Sequence, residues 1–88
     1  MEQMIKRIEQ MERLFDEAGA ALDAGAVMDA HLREKIQVLG AYMDSGMWPA
    51  DYQRDERGEL PAGLKRGVLS EDGLYNLLTE AKEREREQ

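Results

Sequence analysis

Six apolar residues near the start of the chain, Met4, Ile8, Met11, Phe15, Ala18 and Leu22, follow one another at intervals of four, three, four, three and four. A strand cannot use that spacing, because it turns successive side chains to opposite faces. A helix advances about 100° per residue and gathers all six into one stripe roughly 80° wide. Residues 3–24 are therefore predicted to be helical, with Ile5 and Leu14 flanking the stripe. A seam this narrow suits one or two partner helices, as in a coiled coil. Glu2 with Lys6 and Glu9 with Arg13 stand at i,i+4, where a favourable pair contributes about 0.3–0.5 kcal/mol. Gly25 supplies a left-handed stop.

Residues 27–45 carry a second helical pattern. Val27, Met28, Leu32, Ile36, Val38, Leu39, Tyr42 and Met43 spread over about 180° of the helical wheel, a face wide enough to require two neighbours. Gly46 ends it, with Met47 positioned to fold back on Tyr42. Residues 47–69 are irregular. Pro49 can open a short helix reaching Glu56, Glu56-Arg57-Gly58-Glu59 reads as a turn, and Pro61 to Lys65 fits a single helical turn. Residues 71–86 form the last predicted helix. Ser70 is its N-cap, Glu71 and Asp72 complement the helix dipole, and Leu69 and Leu74 make a hydrophobic staple. Leu74, Leu77, Leu78 and Ala81 are its apolar face, and the tail beyond Ala81 is polar all round and expected to be solvated.

Eighty-eight residues make one domain with a single modest core. The absence of cysteine removes disulfides, thiolate catalysis and cysteine–zinc sites, and fits a reducing compartment. No signal-peptide pattern and no bilayer-length apolar run is recognised, so a cytoplasmic location and no membrane partner are expected. The net charge of −7 is carried by the predicted helices and not by the balanced middle segment, a field that repels nucleic-acid backbones.

Between Tyr42 and Leu78 the chain contains Ser45-Gly46-x-Trp48, Asp51-Tyr52, Asp55-Glu56-x-Gly58-x-Leu60-Pro61 and Leu64-Lys65-Arg66-Gly67-Val68-Leu69-Ser70-Glu71-Asp72-x-Leu74-Tyr75. These residues resemble a family of small bacterial proteins catalogued only as a domain of unknown function, and the run from Leu64 to Tyr75 is the most specific part. The first helix agrees only in its general Met/Glu/Arg style. Gly73 departs from the better helix former, such as Ala, expected there. The resemblance implies a bacterial source and an all-helical single domain, and brings no activity or catalytic residue.

Candidate chemistry is sparse. His31, the only histidine, lies at the rim of the second helix's apolar face, where a packing or interface residue is the plainer reading; a zinc site would need further ligands. Asp51, Asp55, Glu56 and Glu59 crowd one stretch without the order of a calcium loop, and with Arg54 and Arg57 interleaved they read as solvated surface charge. Lys65 and Arg66 form the one basic spot, between Gly63 and Gly67, and read as partners of helix acids or as a contact for an acidic peptide. Trp48 and Tyr52 hold much of the aromatic area. Trp48 is expected to fold the irregular segment onto the second helix, or else to serve as a binding anchor.

The expected fold is all-α: an antiparallel helical hairpin, a wrapping segment and a C-terminal helix in one domain over residues 1–88, assembled as a homodimeric bundle. The expected function is a non-catalytic protein-interaction or oligomerisation module with an unidentified protein partner and no cofactor, metal or nucleic acid. Trp48, Tyr52, Lys65 and Arg66 are its candidate partner-binding residues. The alternatives are a small regulator working with nucleic-acid machinery, which requires a contiguous basic surface, and an enzyme subunit, which requires a pocket with converging polar groups.

Overall fold

The computed structural model describes residues 2–70 and 72–87. Four α-helices account for the described regular structure, α1 (Glu2–Asp23), α2 (Ala30–Asp44), α3 (Met47–Glu56) and α4 (Gly73–Glu87), with a single 3-10 turn at Gly67–Leu69 between the last two. The predicted stripe of α1 is the buried one: Met4, Ile8, Met11, Ala18 and Leu22 are in the core, with Phe15 partly buried beside them.

Local chemistry sets the boundaries. Gly25, at φ 72°, ends α1 in a Schellman arrangement: its N–H donates to the Leu22 carbonyl at 3.1 Å, and the Ala26 N–H to the Ala21 carbonyl at 2.9 Å. The second helix starts at Ala30, not at residue 27. Asp29 takes extended backbone and its Oδ1 accepts the Leu32 N–H at 2.8 Å, so the cap lies two residues further on. Val27 is consequently outside the helix and 72% exposed. Gly46 turns left-handed as expected, and Met47 opens α3 and stays half-exposed. Gly58 ends α3 with the same bond pattern as Gly25, through Asp55 and Arg54 carbonyls. The segment 47–69 is thus one-half helix, and Pro61–Leu64 is a reverse turn closed at 3.1 Å, not a helical turn.

Ser70 does cap α4. Its Oγ accepts the Gly73 N–H at 3.2 Å, while the first helical backbone bond runs from Asn76 to Asp72. Glu71, expected to favour the helix dipole, lies outside the described residues. Gly73 has a steric reason for being glycine: a Cβ there would stand 2.2 Å from that capping Oγ and 3.3 Å from the Gly67 carbonyl oxygen. The end of α4 is not a free solvated tail. Arg84 donates to the Leu22 carbonyl at 2.7 Å, placing a cation at the negative end of α1, and Glu85 accepts from Arg33 at 2.6 Å.

α1 and α2 form the antiparallel hairpin, pinned on one side by Lys35 and Glu17 at 3.3 Å. α3 leans on α2, the 3-10 turn crosses to α1, and α4 packs against both hairpin helices. The core runs along the junction from Ile8 and Leu22 through Leu39 to Val68, Leu69 and Leu74, all essentially without exposed surface. The molecule is elongated, 41 × 20 × 18 Å.

Candidate functional site

Two buried acids organise the polar interior, and both are structural. Asp51, read from the sequence as surface charge, has no exposed area. It reaches the interior because α3 turns it toward Arg7 of α1, which donates from Nε to Oδ2 at 3.0 Å and from Nη2 to Oδ1 at 2.7 Å. Tyr42 of α2 adds its hydroxyl to Oδ2 at 2.7 Å. A bidentate guanidinium and a phenol thus compensate a charge that burial alone would make costly. Burial, then the bond to Asp51, holds the Tyr42 phenol protonated well above its ordinary range. Its own hydrogen bonds to Asp51 raise Arg7, which stays a permanent cation.

Glu12, on α1 beside the apolar stripe, is the second. Its Oε1 accepts the Val68 N–H at 2.7 Å, and its carboxylate fits there because residue 67 has no side chain: a Cβ on Gly67 would lie 3.2 Å from Oε2. The carbonyl of the same Val68 accepts the Trp48 indole N–H at 2.9 Å. One peptide of the connection is therefore held from both sides. Trp48 ties α3 to the 3-10 turn, whereas the sequence pointed it at α2.

The four residues singled out from the sequence are partly brought together. Trp48 and Tyr52 stack with centroids 5.1 Å apart at 18°. Arg66 pairs with Asp55 of α3 at 3.2 Å. Lys65 is exposed and turns toward α1, lining a shallow cleft with Glu9, Arg13 and Asp16. Arg54 and Arg57 meet Glu59, which is the charge neutralisation expected there. His31 is exposed in the first turn of α2, away from the packing role expected of it. Among the described residues no group of acids and histidine is arranged to hold a metal ion, and every buried side-chain polar atom has a hydrogen-bond partner.

A larger concavity than that cleft lies elsewhere, in a groove between α2 and α4 of about 660 Å³. Its floor is apolar: Ile36, Gly40 and Met43 from α2, Tyr75 and Leu78 from α4. Ile36, Met43 and Leu78 are only partly buried, and Tyr75 is 61% exposed. Gly40 sits in the middle of α2 with nothing within 4 Å of where a Cβ would be. No neighbour within the chain requires a glycine there, although glycine weakens a helix interior by about 1 kcal/mol relative to alanine. The rim carries Arg33, Lys82 and Arg86 against Asp44 and Glu85. Arg33 and Glu85 are paired, while Lys82, Arg86 and Asp44 form no ion pair among the described residues. The sequence carried a signal for this surface in the apolar face of the second helix, which is wider than the core uses.

A small all-helical domain with saturated buried polar groups and an open apolar groove defines a class, not an activity. The chain belongs to the family described as a domain of unknown function (DUF4298), whose model matches residues 1–87. Comparison with curated proteins gave no match, and comparison with solved structures gave none either. Among the described residues no helix is long and apolar enough to cross a membrane.

Proposed function

We propose that this chain is a non-catalytic protein-interaction module of the bacterial cytosol, and that the α2–α4 groove is its docking element. The observation that carries this reading is the groove floor, where Ile36, Met43, Leu78 and Tyr75 present apolar surface that none of the described residues covers. Apolar surface gathered in a concavity and rimmed by charge is the usual form of a protein-binding site.

Other features support it. The two buried acids are each engaged by bonds that hold the fold together, to Arg7 and Tyr42 for Asp51 and to Val68 for Glu12. Among the described residues eight cations form ion pairs, and the six arginines among them are spread over α1 to α4 and the connection, so they do not form a stripe for nucleic acid. The bacterial, cytosolic setting rests on the family resemblance and the cysteine-free composition.

Photo-crosslinking in cells tests the reading. A photoreactive residue at Gln37 or Thr79, on the two rims of the groove, is expected to give protein adducts. The same residue at exposed Gln10 or Glu83, which do not line the groove, is expected to give few. Equal yields at all four positions, or none at the rims, would overturn it.

A further inference from the structure

We propose that the occupant of the α2–α4 groove is a second copy of this chain, laid antiparallel across it about a two-fold axis that passes at the level of Gly40. The inference rests on the reading of the groove as the docking element and adds the identity of what fills it.

The charges along the groove carry the argument. The Arg33–Glu85 contact fixes the antiparallel register of α2 and α4, and counting from it brings Gly40 level with Leu78. Lys82 lies four residues from Leu78 toward one end, and Asp44 four residues from Gly40 toward the other. At 1.5 Å per residue each stands about 6 Å from the midpoint, on opposite sides. One end of the groove therefore holds Arg33, Lys82 and Arg86 with Glu85, and the other ends on Asp44. A two-fold rotation through the midpoint superposes the cationic end of one copy on the acidic end of the other. Asp44 then comes level with the Lys82 of the second copy, diagonally across the groove, and Lys82 with its Asp44, which is the self-complementarity that an isologous interface requires.

Two further observations agree. Gly40 falls at the axis, where two helices approach most closely, and this gives its missing side chain a purpose that the single chain does not. The rim, with three cations and two acids, is net positive in a molecule of net charge −7, so two copies repel each other less here than the net charge alone implies. The molecule is 41 Å long and about 20 Å across, so one side has room for the roughly 800 Å² per partner of a standard interface.

Sedimentation equilibrium on the full chain, from micromolar to millimolar, is the test. The expected mass approaches twice the 10.0 kDa of one chain. Lys82→Asp and Asp44→Lys, both at exposed positions, should each weaken association at least about tenfold, with helical circular dichroism unchanged. The double variant Asp44→Lys/Lys82→Asp should restore it, because the swapped pair re-forms across the axis. A wild-type monomer throughout, or a double variant no better than the singles, would overturn the second copy as occupant. If rim crosslinks nevertheless form in cells with a mass other than that of two chains, the docking reading survives and only the occupant is wrong. A wild-type dimer indifferent to all three variants would remove the groove from both readings.

Discussion

Gly40 and Gly73 are both helical, and they should respond in opposite directions to the same change. At Gly40 an added methyl meets nothing. Gly40→Ala should therefore stabilise the isolated chain by about 1 kcal/mol through helix propensity, measured by urea unfolding at low protein concentration. At Gly73 the methyl strikes the capping Ser70 Oγ, so Gly73→Ala should lose the cap and cost about 1 kcal/mol in spite of the better propensity. Tyr42 makes a further prediction at this scale. In the unfolded chain a tyrosine ionises near pH 10. In the folded protein burial and Asp51 keep Tyr42 protonated well beyond that. Above the unfolded value the unfolded state binds fewer protons than the native one, so stability intact at neutral pH is lost as the pH rises past about 10. Tyr42→Phe should cost about 1.5 kcal/mol at pH 7 through the lost bond to a charged acceptor. It should also flatten the alkaline decline, and unfolding midpoints from pH 7 to 11 would show both effects. An equally steep decline in the variant would contradict the assignment.

At the scale of elements, the decisive joint is where Glu12 of α1 and Trp48 of α3 hold the two sides of the Val68 peptide. Glu12→Ala leaves a buried N–H without a partner, which costs about 1–3 kcal/mol. Hydrogen exchange should then show the Val68 amide losing protection while the α1–α2 hairpin keeps its own. How much of this was legible in the sequence depends on how far apart the partners lie. The stripe of α1, the stops at Gly25, Gly46 and Gly58 and the Ser70 cap all depend on residues within five positions of one another, and each is found where the sequence places it. Val27 and Met28 extend the apolar pattern of α2 toward its start, but they precede the true cap at Asp29. Asp51 is not legible as a buried acid because its partner Arg7 is 44 residues away, and its neighbours Asp55 and Glu56 make it look like one more surface acid. The same holds for Glu12, its partner lying 56 residues on. The groove was half legible: the apolar arc of α2 was evident, but only the packing of α4 shows which part of it the core leaves uncovered.

For the whole molecule, an elongated body with one long open face predicts association by surface contact, and the clamped Val68 peptide bears on how that association can happen. Helical proteins can also pair by domain swapping, each lending its terminal helix to the other, and that route needs a connection free to act as a hinge. Here the linker before α4 is fastened by two bonds to two different helices, and α4 is tied at its far end to the Leu22 carbonyl. Lending α4 would break the last of these and leave only the few residues between Val68 and Gly73 to serve as the hinge. Copies should accordingly trade partners without unfolding: mixing differently labelled chains should give hybrid pairs much faster than the chain unfolds in the same buffer, and exchange slowed to the unfolding rate would point to swapping. An assembly of this kind answers to the amount of protein present, forming and dispersing as expression rises and falls.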